Sequence, residues 1–152
     1  MKELLISGEL AVDLASAFDA SPNPYMLITP DFRFAAMNEA YLQVTGSTRA
    51  ALIGQNLFDI FDAGPTEAGR ENSRQLRASF ERVLETGQPD HLAVIRYAIP
   101  TVQASGKTIM EERYWTATHT PIRDADGNIT RWFGTCTDIH EQKLLMEQRE
   151  MV

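Results

Sequence analysis

The chain has 152 residues, a net charge of −7, 43% hydrophobic and 23% charged residues, a make-up that suits one globular domain with a core of its own. That acidity argues against nucleic acid and anionic membrane surfaces as partners, since both call for a basic footprint. The single Cys136 excludes an intrachain disulfide and a cysteine-rich zinc site, no apolar run approaches the roughly 18–20 residues of a membrane span, and the N-terminus lacks the basic and apolar parts of a signal peptide. A cytoplasmic location is expected, although a parent protein could carry membrane segments elsewhere.

Residues 3–18 read as a helix, with Leu10, Leu14, Ala17 and Phe18 forming one apolar stripe. Ser21-Pro22-Asn23-Pro24 stops it, because proline cannot continue a helix. Tyr25 to Thr29 and Arg33 to Met37 read as a strand pair around the turn signal Pro30-Asp31. Asn38 to Val44 is a short helix with Gly46 as its left-handed cap. Thr48 caps a further turn, Arg49 to Ile53, closed by Gly54, and Leu57 to Phe61 is another helical piece.

Residues 71–86 carry the clearest helical pattern, with Leu76, Phe80, Val83 and Leu84 at i, i+4, i+7 and i+8. Gly87-Gln88-Pro89 ends it. His91 to Ile99 is a strand candidate, and Pro100 to Thr108 reads as a loop around Ser105-Gly106. Met110 to Ile122 and Ile129 to Asp138 form a long hairpin across Asp126-Gly127-Asn128. Glu141 onward is a polar helix with Leu144 and Leu145 as a thin apolar stripe. One antiparallel sheet, covered on one face by helices, accounts for this order.

The hairpin predicts two faces. Trp115, Ala117, His119 and Pro121 share one side of the first arm, opposite Tyr114, Thr116, Thr118 and Thr120; on the second arm Trp132, Gly134 and Cys136 share a side. Both sides are partly apolar, so alternation alone does not say which meets the helices. Trp115 and Trp132 either pack in the core or stack on a bound ligand or flavin.

Asn38-Glu39-Ala40-Tyr41 after the second strand, Leu52-Ile53-Gly54-Gln55-Asn56-Leu57-Phe58-Asp59-Ile60-Phe61, and the closing Asp138-Ile139 resemble, in this order and spacing, a PAS domain. The resemblance runs from about Ser21 to Gln142. Ile95-Arg96-Tyr97-Ala98-Ile99-Pro100 followed by Glu112-Arg113-Tyr114-Trp115 looks like a subgroup common in bacterial sensor histidine kinases and hybrid kinase–response regulators. The resemblance implies an α+β fold: a five-stranded antiparallel sheet with helices on one face, a small cavity between, and flanking helices that commonly mediate dimerisation. The domains are then a flanking helix over 1–20, the PAS domain over 21–140, and the start of a linker helix over 141–152. The two flanking helices read as cut from something longer, with Met1 a boundary rather than a natural start.

The family's usual ending is Asp, an aliphatic residue, then Thr; here His140 replaces the Thr. Asp138 can still start the exit helix, since Glu141 three residues on completes a capping box. Asp138, His140 and Glu141 are therefore the expected signal-coupling residues, with a plain helix cap as the simpler role. Ligand-pocket candidates are Met37, Tyr41, Phe61, Arg96, Tyr114 and Thr118. An inward Arg96 would hold a carboxylate or phosphate, whereas an outward one is solvated.

A flavin–cysteinyl photosensor of this family needs a Cys within Gly54 to Phe61, and none is there; Cys136 reads as a buried structural thiol. Haem-binding members use a His on the long helix, and residues 71–86 hold none. His91, His119 and His140 lack metal-ligand spacing. Neither haem nor cysteinyl flavin is expected, and no cofactor is assigned.

The chain shows no phosphate-cradling glycine-rich loop and no phosphoacceptor His followed by Glu-Leu-Arg, so the stretch itself is not expected to be an enzyme. An isomerase or hydrolase would need a buried carboxylate near a Tyr or His, for which Asp59 and Asp62 with Tyr41 or Tyr114 are loose candidates. The expected function is a signal-sensing domain of a two-component sensor histidine kinase. It would bind a small ligand, form a homodimer and relay its state to a kinase domain of the same chain. The alternatives are a ligand-free dimerisation module and a non-covalent flavin redox sensor.

Overall fold

The hydroxyl of Ser7 accepts from Leu10 N at 3.1 Å and opens α1, Gly8–Ala20, in the computed structural model of the protein. The structure describes residues 7–60 and 67–150, and the side chains at 68, 94–100, 112, 138, 140 and 141 lie outside that description. Strands β1, Tyr25–Ile28, and β2, Phe34–Met37, pair antiparallel. Asn38 caps α2, Glu39–Thr45, and Gly46 ends it at φ 64°, a left-handed position that glycine adopts without strain. Thr48 caps α3, Arg49–Leu52, and α4, Leu57–Ile60, follows. Then come α5, Glu67–Thr86, and the strands β3, Asp90–Val102, β4, Thr108–Arg123, and β5, Ile129–Asp138. Helix α6, His140–Glu150, leaves the sheet at the end of β5.

The five strands form one sheet in the order β2-β1-β5-β4-β3, every pair antiparallel. The α+β fold with a five-stranded antiparallel sheet is therefore as the sequence led us to expect. The long hairpin turns where Asp124 N donates to Asn128 O at 2.9 Å, with Gly127 at φ 86°. Asp124 Oδ1 accepts from Asp126 N and Asn128 N at 2.9 and 3.0 Å, locking the turn.

The face carrying Trp115, Ala117, His119 and Trp132 meets the helices, and all four residues are buried. Ile28, Phe34, Leu52, Phe80 and Val83 close the core between this face and α3 and α5. The opposite face is only partly covered. There Tyr25 stacks between Phe18 of α1 and Phe133 of β5, with ring centroids 6.0 and 4.9 Å apart.

Three sequence expectations change. The long helix begins at Glu67 rather than at 71; Arg70 and Arg74 pair with Glu67 along its first two turns, although these exposed pairs add little. Its buried stripe is Leu76, Ser79, Phe80 and Val83, while Leu84 is 48% exposed, because i+8 drifts off a face that i+3, i+4 and i+7 share. The expected loop from Pro100 is partly strand: β3 runs to Val102, with Pro100 opposite Met110. This strand is a sheet edge, where a residue without an N–H is tolerated. Helix α1 itself buries no residue, leaving Leu10 44% and Leu14 49% exposed. The sheet reaches only Phe18 at the helix's C-terminal end.

Candidate functional site

Two groups of residues stand out, one inside the sheet–helix layer and one where the sheet hands over to α6. The inner group is a chain of four polar side chains from the surface to the core. Arg82 grips Asp90 with both arms of its guanidinium, Nε to Oδ1 and Nη2 to Oδ2, each at 2.8 Å. Ser79 Oγ donates to Asp90 Oδ2 at 2.6 Å and lies 2.8 Å from His119 Nδ1. Ser79 and His119 are fully buried.

Helical spacing on α5 puts Ser79 and Arg82 one turn apart, and the ladder sets Asp90 directly opposite His119. The His119 ring lies against Phe80 at 4.1 Å between centroids. Burial pushes the imidazole pKa down from the usual 6.5 to about 4; the Asp90 charge opposes that shift and Arg82 adds to it. The hydrogen bond from Arg82 is the main reason that the Asp90 carboxyl is held below its usual range, and Ser79 adds to it. The four residues resemble a hydrolytic triad in type but not in order. Here Ser79 lies between the carboxylate and the imidazole, its proton pointing to Asp90, so it is not a base-activated nucleophile.

Next to this chain, Phe32 stacks flat on Trp132, 5.4 Å apart and 3° from parallel, and meets Phe58 and Phe80 edge-on. Phe32 is the one non-glycine residue with positive φ among the described residues, at 63°. The aromatic contacts hold it there against the cost of a left-handed backbone. Arg77 covers the outer side of the cluster, its guanidinium 4.2 Å from the Phe58 ring.

The second group ties α6 to the hairpin. Ile139 N donates to Tyr114 O at 2.9 Å, and Lys143 N donates back to Ile139 O at 2.9 Å, inside the helix. Lys143 Nζ lies 4.9 Å from the centroid of the Tyr114 ring. The last rung of β5, Asp138 opposite Trp115, is one residue away.

At the other end Asn38 is fully buried and makes four hydrogen bonds. Its Oδ1 accepts from Tyr25 N at 2.9 Å and Tyr41 N at 3.0 Å. Its Nδ2 donates to Phe18 O at 2.9 Å and Asn23 O at 2.8 Å. One side chain thus joins α1, the Pro-flanked linker, β1 and α2. Arg49 reinforces the joint from α3 through Asp19 of α1.

A sequence-family model described as the PAS fold matches residues 18–144. The chain belongs to the PAS fold family. Among solved structures it is similar to the PAS domain of a protein from Colwellia psychrerythraea, at 14% identity and TM-score 0.67, covering 87% of this chain and 98% of that one. It is similar to an RNA-binding light-oxygen-voltage receptor at 17% identity and TM-score 0.65, where the whole of this chain spans 40% of the receptor. It is also similar to a PAS domain from a two-component sensor histidine kinase, at 15% identity and TM-score 0.58, covering 87% and 99%. No curated protein matches the chain.

Within this PAS domain the four expected pocket residues whose side chains are described, Met37, Tyr41, Tyr114 and Thr118, divide between the two faces of the sheet. Met37 and Tyr41 are buried on the helix side of the sheet, Tyr41 against Phe34. Tyr114 and Thr118 alternate with the buried Trp115, Ala117 and His119, so they lie on the opposite face. There Thr118 Oγ1 pairs with His91 Nδ1 at 2.9 Å. Arg96 stands opposite Tyr114 in the ladder, but its side chain is outside the described residues. Phe61 and Asp62 are outside them altogether, as are the side chains of Asp138, His140 and Glu141. Asp59 is exposed on α4.

Cys136 is half-buried and packs on the core from β5. The Trp132 ring packs against Phe32 and Phe80, so core packing describes it. Sequence reading missed the Ser79–His119 pair. Its signal was present: His119 shares a face with Trp115, and Ser79 falls at i+3 of the α5 apolar stripe.

Proposed function

We propose that this PAS domain is the regulatory module of a bacterial two-component sensor histidine kinase. It senses a small ligand and passes its state through α6 to a kinase domain of the same chain. The observation that carries this reading is the anchoring of α6 on β4. Tyr114 holds the helix by its carbonyl, through Ile139 N, and by its ring, through Lys143. A strand shift of a fraction of an ångström in the hairpin would therefore move the start of the exit helix. The likeness to a PAS domain of a two-component sensor histidine kinase supports the same reading.

The module acts as a homodimer and is not itself an enzyme. The exposed Leu10 and Leu14 of α1, with Leu144 and Leu145 of α6 at 42% and 56% exposure, are the apolar surface from which a parallel pair would form. A cytoplasmic position fits, and no described helix is long and apolar enough to cross a membrane. Native mass spectrometry of the purified protein reads stoichiometry and bound mass together. A dimer with a reproducible extra mass is the expected result. A monomer at bare sequence mass would overturn the reading.

A further inference from the structure

We propose that the Arg82–Asp90–Ser79–His119 chain is an acid-sensitive latch, which holds α5 on the sheet while His119 is neutral and releases it when the ring gains a second proton. The proton positions follow from donor counting. Arg82 only donates, and an ionised Asp90 only accepts. Ser79 has one hydroxyl proton, and its 2.6 Å contact with Asp90 Oδ2 requires that proton to point at the carboxylate. Ser79 Oγ must then accept from His119, so Nδ1 carries the ring proton across the 2.8 Å contact. In the neutral ring Nε2 is therefore the bare nitrogen.

That nitrogen is buried with no hydrogen-bond partner among the described residues. A proton arriving there would place an N–H without an acceptor, and a whole charge, in an apolar layer. The charged groups facing the ring are Asp90 from β3, which favours the proton, and Arg82 from α5, which opposes it. Opposite His119, β5 offers only Gly134, beside which Met26 of β1 fills the space. Phe80 and Val83 of α5 are uncharged. Asp90 is shared with Arg82 through two hydrogen bonds, and its charge favours the imidazolium by less than burial opposes it. The low-energy escape is to open the α5–β4 contact and hydrate the ring. The direction of the imidazole shift, down to about 4, agrees with this geometry. The latch stands independently of the kinase assignment.

The test is 15N–1H long-range NMR on the intact chain labelled at histidine, run from pH 7.5 to 3.5 with amide exchange followed in parallel. The expected result is the Nδ1–H tautomer at neutral pH and a His119 midpoint near 4. Amides of α5 around Ser79 and Val83 should lose protection over the same interval. Arg82→Gln should raise the midpoint and Asp90→Asn should lower it. An Nε2–H tautomer, a midpoint near 6.5, the usual histidine value, or α5 amides that stay protected through the His119 midpoint would each overturn the latch. If either variant fails to fold, the tautomer and midpoint of the unaltered protein still decide.

Discussion

Lys143 of α6 lies over the ring of Tyr114 on β4, its Nζ 4.9 Å from the centroid, while the backbone of the same tyrosine accepts from Ile139 N. Tyr114 faces away from the core, so the ring can be removed without opening a cavity. Tyr114→Ala should cost the domain at most about 1 kcal/mol, the scale of an exposed cation–π contact. It should also speed amide exchange along α6. Trp115→Ala, one residue on but buried, should cost about 3–5 kcal/mol. Hydrogen exchange with mass spectrometry, read beside urea unfolding, separates the two effects.

Asn38 is satisfied at all four of its hydrogen-bonding positions. Asn38→Ala leaves buried donors and acceptors unpaired and should lower unfolding stability by at least about 2 kcal/mol. Asn38→Asp keeps the two acceptor bonds but faces a carboxylate with the carbonyls of Phe18 and Asn23, and should loosen α1 selectively. Urea midpoints and exchange of the α1 amides check both.

Acid should destabilise the domain in two stages. The folded-state pKa of His119 is about 4 against the usual 6.5, so between those values the unfolded chain binds a proton that the folded one refuses. Stability is complete above about 6.5 and falls as pH drops towards 4, by up to about 3 kcal/mol at 1.36 kcal/mol per pH unit. Asp90 is shifted down, chiefly by the Arg82 hydrogen bond; its contribution is present above its usual 3.8 and is lost only as pH falls further. His119→Gln should flatten the upper stage and leave the lower one. Chemical unfolding repeated at several pH values checks the slopes.

Leu10→Lys with Leu14→Lys should leave the fold intact, since neither side chain is buried. It should shift the protein from dimer towards monomer. Sedimentation velocity over a concentration series reads this, with circular dichroism to confirm that α1 remains helical.

Periodicity and turn chemistry made most of the fold legible. Gly46 and Thr48 cap where the sequence places them, while Asn38, read as the first helical residue, is the N-cap; capping is decided by a few neighbouring residues. Alternation grouped Trp115 with His119 correctly but could not say which face the helices take, since both faces carry aromatic residues. Pro100 misled because its tolerance depends on β3 being an edge strand, a property of the assembled sheet. The pocket expectation spread across both faces for a similar reason: Tyr114 and Thr118 are apolar enough to suit either side. Phe32 could not be read, as its left-handed backbone is held by Trp132, a hundred residues away in sequence. The His119 chain joins α5, β3 and β4, and only tertiary packing brings those three together.

The measurement that reaches furthest is autophosphorylation of a fusion in which α6 runs in register into the dimerisation and catalytic domains of a histidine kinase. Tyr114→Ala should change the rate about fivefold or more, the low end of ordinary coupling energies, while the melting temperature of the domain falls by no more than about 4 °C, as a loss of at most about 1 kcal/mol in a domain this size allows. Equal rates for the parent and Tyr114→Ala, in a fusion whose kinase is active, would contradict a relay through α6.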